Sequence, residues 1–480
     1  MKKILFILLA FLAISCSKQK LADLNKDVKH PTDVPGNSLF SNAEKNLSDQ
    51  TVTLNVNDNN FDLWSQYLTE TTYTDESNYD IFTRNVPDRA WRTYYRDILE
   101  DLNRADSLIK GENLTAAEDI AAQKNSRAII DIVAVYTWDR MVTLWGNIPY
   151  TQALNINNVL PAYDDALSIH KDLISRVTAD IAALDASNGS FGDADIIYGG
   201  DVTNWKAFAN GLLVKLAIQI ADVSSESALV TSSITAAKDG TFASPAENAI
   251  FKYLGGTPNT NPLYVDLTLS GRLDYVAANT LVDEMNAAND PRLPFYFDQN
   301  LGTNTYKGGA YGHSAAYGNF SHISPVISED PTFGNPLMTY SEIQFYLAEA
   351  AARGIIPTAD APTYYDNAVK ASIEYWGGTA AQAAIYLAQS SVAYDQATWK
   401  SKIGTQAWIS FYLRGYEGWT EWRRLDAPAM NMPPSPSQDG FPYRYTYPSN
   451  EQTLNGANYT QAASAIGGDK LTTKLYWDVN

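Results

Sequence analysis

Apolar residues recur every three or four positions in several separate stretches of the chain, and this spacing constrains the fold more than any other feature. Trp91, Tyr95, Ile98, Leu102, Ala105 and Ile109 fall on one line with charged residues opposite them. That is the pattern of a helix with one buried stripe. Ile129, Val133, Tyr136, Arg140 and Leu144 mark a second helix, which Gly146 and Pro149 stop. A third carries Ile169, Leu173, Val177, Ile181 and Leu184. A fourth carries Trp205, Phe208, Leu212, Leu216 and Ile220. The stretch "TYSEIQFYLAEAAARG" opens on a capping box, Thr339 to Glu342, and closes on Gly354; "PTYYDNAVKASIEYWGG" follows as its partner. Trp408, Phe411, Gly415, Trp419 and Trp422 line the face of a last helix. The spacing therefore predicts a mostly α protein with helical hairpins at 90–144, 163–222, 340–376 and 398–424. The third hairpin comes close to the tetratricopeptide period of about 34 residues, without the consensus of that repeat.

Between the second and third hairpins the character changes. Residues 226–338 are rich in Gly, Asn, Pro and aromatics, as in "YLGGTPNTNPLYVDLTLSGRLDY" and "TYKGGAYGHSAAYGNFSHISP", with one helix expected at 277–288. Long irregular stretches inside a compact domain are usually functional. A single domain over 61–480 is expected, with a helical scaffold at 88–225 and 339–425, the loop-rich region 226–338, and a C-terminal tail 426–480.

The beginning of the chain reads differently. Lys2 and Lys3 precede an apolar run, Ile4 to Ile14, that is too short to span a bilayer and fits a secretory leader, residues 1–15. The chain's only cysteine, Cys16, follows in the context Ala13-Ile14-Ser15-Cys16. This resembles a bacterial lipobox, in which the cysteine is lipidated and becomes the mature N-terminus. One cysteine forms no internal disulfide, so lipidation is its expected use. Residues 16–60 are polar, with little apolar periodicity, and are expected to be a loosely structured lipidated tether.

Composition excludes some functions. The formal net charge is −19, which opposes nucleic acid and other polyanions. Glu417 and Glu421 stand one helical turn apart among Arg414, Arg423 and Arg424, which reads as an ion-pair network rather than the carboxylate pair of a glycosidase. The sequence contains neither Gly-x-Ser-x-Gly nor His-Glu-x-x-His. His30, His170, His313 and His322 are scattered. No enzyme, metal site or cofactor is expected.

Taken in order, "LWGNIPYTQALN", "YGGDVTNWKAFANGLLVKLAIQIA", "NDPRLPFY", "TYSEIQFYLAEAAARG", "FYLRGYEGWTEWRRLDAP" and "YPSNEQTLN" resemble the SusD/RagB family of outer-membrane lipoproteins. The resemblance implies four tetratricopeptide-like helical hairpins supporting a loop-rich ligand-binding region. It implies a lipid-anchored, surface-facing protein of the outer membrane that captures a glycan and delivers it to a TonB-dependent, SusC-like transporter. Ser17-Lys18-Gln19-Lys20 departs from the acidic residues that often follow the lipidated cysteine in surface-exposed members. A helical-repeat receptor for peptides or other nutrients is the alternative.

A sugar ring offers an apolar face and a rim of hydroxyls, so aromatic platforms flanked by polar side chains are its natural partners. The candidates are aromatics outside the helical stripes: Tyr73, Tyr79, Phe82, Tyr264, Tyr306, Tyr311, Tyr317 and Phe320. Tyr311 and Tyr317 lead, because glycines and small residues surround them and are expected to leave their faces open. Asn78, Asp80 and Arg84 are the candidate hydroxyl partners. Trp205, Trp419 and Trp422 are expected in the core.

Overall fold

The computed structural model describes residues 34–479. Cys16 and His30 lie outside the described residues, as does the leader. The principal helices are α1 (Gly36–Val52), α2 (Glu100–Lys110), α3 (Ala117–Trp145), α4 (Ala166–Ala183), α5 (Val202–Gln219), α6 (Ser227–Ala237), α7 (Asn279–Ala287), α8 (Tyr340–Ala352), α9 (Ala361–Tyr375), α10 (Trp399–Ser410), α11 (Gly415–Leu425) and α12 (Gly456–Ala465). A helix Val86–Arg92 and a π-helical turn Thr93–Leu99 run directly into α2.

The four hairpins form where the periodicity places them. α2 packs on α3, α4 on α5, α8 on α9 and α10 on α11. α3 also packs against α4, and α8 against both α5 and α10, so the halves share one core. From Asn125 onward α3 is buried on nearly every side, as expected of a helix apolar all round. Asp165 caps α4 through Ser168 N, and Asp201 caps α5 through Thr203 N and Asn204 N. Trp205 and Trp419 are fully buried and Trp422 nearly so.

Three local expectations are corrected. Residues 36–52, expected within the tether, form α1, which buries Phe40, Ala43, Leu47 and Val52 against α2 and the π-helical turn. The stripe is real but sparse in a polar stretch. The helix face expected to continue through 408–422 breaks between α10 and α11, where Leu413 is left-handed (φ +59°). Gly415 there lies so close to Phe61 and Asp62 that a Cβ would meet their backbone at 2.3 Å. Thr339 does accept from Glu342 N at 3.2 Å, but the Glu342 side chain does not close the capping box. It turns inward, to Lys215 and Arg414.

The loop-rich region is tied down by two short antiparallel ribbons. β1 (Leu68–Glu70) pairs with β3 (Tyr275–Ala277), Thr69 opposite Val276. β2 (Ala249–Phe251) pairs with β4 (Asn335–Met338). The expected helix in this region is α7; α6, which packs on α5, was not foreseen. The tail returns to the first half: Tyr445 N donates to Leu144 O at 3.0 Å, and Tyr445, Tyr447 and Trp477 are buried.

Candidate functional site

The first ribbon carries the two segments expected to bind. Strand β1 leads into the 73–85 loop, and the 303–325 loop folds back over the ribbon. Gly312 N donates to Thr69 Oγ1 at 3.0 Å, and Ala315 N to Thr71 O at 2.8 Å. Asn78 holds the two loops and the tail together. Its Nδ2 donates to Thr74 O (2.7 Å) and Gly312 O (2.8 Å), its Oδ1 accepts from Ser435 N (3.0 Å), and its carbonyl accepts from Ser437 N (2.8 Å). Tyr79 sits beneath in the left-handed region (φ +68°). A bulky side chain persists there only where its surroundings over-determine it. Tyr79 packs against Trp64, Tyr311 and Phe441 at ring separations of 6.3–6.5 Å.

Tyr311, Tyr79, Tyr306 and Asn78 are therefore buried and offer no open face. For Tyr311 this reverses the expectation, and the glycines explain why. Without side chains they let the loop press onto the body: a Cβ on Gly312 would meet Pro433 at 2.5 Å, and one on Gly308 the Asn279 backbone at 2.4 Å. Asp80 turns inward on its own loop, accepting from Phe82 N (2.9 Å), Thr83 N (3.1 Å) and Thr83 Oγ1 (2.7 Å). Tyr317 is half-buried, stacked on His322 at 3.6 Å. Half-buried Phe320 lies under Lys307 Nζ at 5.0 Å, and Tyr264 is half-buried on a short helix, Pro262–Tyr264. Among the described residues two aromatics stand clear of the surface, Tyr73 (62% exposed) and Phe82 (56%). Both are on the 73–85 loop.

That loop separates two depressions. On one side Phe82 and Asn85 open onto a cleft of about 620 Å³, whose far wall is the tail, with Gln438, Tyr447, Gln452 and Tyr459. The Nε2 of Gln438, on this wall, is buried and has no hydrogen-bond acceptor among the described residues. On the other side Arg84 lines a smaller polar pocket, of about 180 Å³, together with Asn55, Asn57, Arg272 and Tyr275. Arg84 pairs with Glu76, and Glu76 lies beside Glu70 at the loop's base. Burial, and then the Glu76 charge, push Glu70 up to about 9, so at neutral pH this pair holds one proton.

Beneath the loop face lies a buried layer of charge. Glu417 pairs with Arg140 and lies 3.9 Å from Lys215. Glu342 binds Arg414 (2.6 Å) and Lys215 (3.1 Å). Burial alone would raise the Glu417 pKa, but the charges of Arg140, Arg414 and Lys215 outweigh it and hold the carboxyl at about 2. Glu421 pairs with Arg424 at 3.3 Å. Both carboxylates are committed to buried ion pairs, as the sequence led us to expect. Arg423 lies over the Trp419 ring at 3.4 Å and donates to Thr143 O and Tyr443 O. His170 is spanned between Leu216 O and Tyr476 Oη, each at 2.8 Å. No group of carboxylates and histidines fit to hold a metal occurs among the described residues.

A helical-hairpin scaffold carrying an aromatic loop face agrees with what sequence comparison finds. The profile of a SusD-like family described as "Starch-binding associating with outer membrane" matches residues 27–448. The chain belongs to the SusD-like family. Similar solved structures include a chitin-binding SusD homologue from Flavobacterium johnsoniae, at 23% identity and TM-score 0.77, covering 92% of this chain and 99% of that one. A second is a chitin-binding protein at 24% identity and TM-score 0.80, covering 93% and 100%. A third is a SusD homologue from Bacteroides uniformis at 23% and 0.74, covering 92% and 99%. At these identities the likeness establishes the fold. No curated protein sequence matches. Among the described residues no helix is long and apolar enough to cross a membrane.

Sequence reasoning missed the far wall of the cleft, supplied by the tail, and the Asn55, Asn57 and Arg272 edge of the polar pocket. The aromatic run "FPYRYTYPSN" was the available signal for the tail.

Proposed function

We propose that this SusD-like protein is a non-catalytic binding protein that captures a neutral glycan at the cell surface. Anchored through lipid on Cys16, it passes the glycan to a TonB-dependent, SusC-like transporter in the outer membrane. One observation carries the binding assignment: Phe82 stands exposed at the mouth of a cleft whose lining mixes amides (Asn85, Gln438, Gln452) and tyrosines (Tyr447, Tyr459) with Asp88, Asp469 and Lys470. The family description and the two chitin-binding structural relatives support the reading. Covering half of an aromatic of about 150–250 Å² at about 25 cal/mol per Å² contributes roughly 2–3 kcal/mol per platform. With ordering costs, a few such contacts give a dissociation constant in the micromolar to millimolar range, which suits a protein that must release its ligand.

Calorimetric titration with chitin- and starch-derived oligosaccharides tests this. Saturable heat with at least one series is expected. Binding of short peptides with none of the sugars would transfer the assignment to a peptide receptor. For the anchor, Cys16→Ala is expected to move the protein from the membrane to the soluble fraction. Copurification with a SusC-like transporter from detergent extracts tests the delivery step.

A further inference from the structure

The small pocket on the Arg84 side of the 73–85 loop is arranged differently from the Phe82 cleft, and the glycan reading does not by itself account for it. Arg84 and Arg272 are each tied through Nε to a carboxylate, Glu76 and Asp274. Each guanidinium is thereby held from one side, with the Nη donors of both directed to no hydrogen-bond partner among the described residues. A carboxylate that orients a guanidinium without saturating it leaves pre-organised donors and lowers the ordering cost of binding.

The floor is equally fixed. Asp266 accepts from Thr53 Oγ1 and Leu54 N, both at 2.9 Å, and Tyr275 Oη donates to Leu54 O at 2.6 Å. Asn57 Nδ2 donates to Asn55 Oδ1 at 2.7 Å, which orients the two amides against each other. Tyr73, on the same loop as Arg84, is 62% exposed.

The charge of the pocket selects its ligand. Asp266 and Asp274 line it alongside the two arginines, and the chain as a whole carries −19. An anionic sugar gains little there over a neutral one. Guanidinium donors beside amide groups suit vicinal hydroxyls.

We infer that this pocket is a second subsite for a neutral sugar unit, and that one extended glycan crosses the loop crest from the Phe82 cleft to the Arg272 pocket. The inference rests on the glycan reading above. Phe82 and Asn85 line one depression and Arg84 the other, so a single loop contributes side chains to both. A ligand read in this way is an internal stretch of polymer, and short oligosaccharides fill only the cleft.

Calorimetry over a length series, disaccharide to hexasaccharide, of the chitin or starch oligosaccharide that binds tests the inference in wild type, Arg272→Ala and Phe82→Ala. Arg272 is exposed, so its removal leaves the fold intact, and circular dichroism checks this. Wild-type affinity is expected to rise at least about tenfold along the series. Arg272→Ala is expected to remove most of that rise while leaving the disaccharide unchanged, and Phe82→Ala to weaken every length. Wild-type affinity independent of length, or an Arg272→Ala loss equal at all lengths or absent, overturns the second subsite and leaves the glycan reading standing. Failure of the wild type to bind either series overturns the glycan reading, and this inference with it.

Discussion

At the base of the 73–85 loop, Tyr79 is fully buried among Trp64, Tyr311 and Phe441. Three residues on, at the crest, Phe82 is 56% exposed. Both are aromatics on one irregular segment beside small and polar neighbours. What separates them is the second chain each meets. Tyr79 and Asn78 are overlaid by the 303–325 loop and by Ser435 and Ser437 of the tail, whereas the crest has the cleft on one side and the polar pocket on the other. An aromatic-rich loop is therefore two structures in one, a packed base that fixes a shape and a crest whose aromatic side chain stays exposed.

The sharpest contrast with the crest lies deeper, in the buried charge layer, and its disruption has the largest expected effect. Glu417→Ala leaves Arg140 without its main partner and weakens the setting of Lys215. Breaking a buried pair from one side costs about 3–5 kcal/mol. Urea denaturation is the measurement. A loss under about 1 kcal/mol would mean that water reaches the layer. Titration separates the layer from the loop base by the sign of its effect. Glu417, held at about 2, contributes stability that is present above the ordinary carboxyl pKa and is lost as pH falls from about 4.5 through 2. Glu70, pushed up to about 9, keeps a proton that the unfolded chain releases above about 4.5. The loop base therefore loses stability as pH rises from there towards 9. Glu417→Gln should flatten the acid limb of the urea-midpoint profile, and Glu70→Gln the alkaline limb. The reverse assignment would break the comparison.

Tyr311→Ala comes next, at about 3 kcal/mol, the lower end for a buried aromatic, because one side of its site is loop and relaxes more readily. Affinity for the glycan should fall with it, through loss of loop shape. Wild-type stability in this variant would mean that Tyr311 is not part of the packed base. Asn78→Ala follows at about 1–3 kcal/mol, since Gly312 O and Ser435 N lose their partner in a largely buried place. Both are read by thermal or urea unfolding.

The scaffold was legible in the sequence because each helix carries its own periodicity, and that signal is local. Trp205, Trp419 and the four hairpins needed no knowledge of what they touch. The burial of Tyr311 was not legible, because it depends on Pro433, more than a hundred residues away, filling the space over Gly312. Glycines beside an aromatic read equally well as an open face or as a close approach, and only the partner chain decides. α1 escaped for a related reason: Phe40, Ala43 and Leu47 form a stripe too thin to stand out from polar neighbours until α2 covers it. The cleft was half legible. Phe82 was one of eight candidate aromatics, behind Tyr311 and Tyr317, and the wall opposite it comes from residues 438–471, which meet it only through the fold.

Phe82→Ala has the smallest expected effect on stability and sharpens the comparison most. A side chain more than half exposed, in contact mainly with solvent, changes stability by no more than about 0.5 kcal/mol when truncated. The same truncation removes the apolar platform at the mouth of the cleft. If about half of the ring's surface is covered on binding, affinity falls by about 2–3 kcal/mol, on the order of a hundredfold. Tyr79→Ala, three residues earlier, should show the opposite ratio, with a large loss of stability and a loss of binding only as the loop deforms. Unfolding and calorimetry on the two variants side by side decide the matter. If Phe82→Ala binds glycan as the wild type does, the crest is not the platform, and half-buried Tyr317 and Phe320 of the 303–325 loop are the aromatics to truncate next.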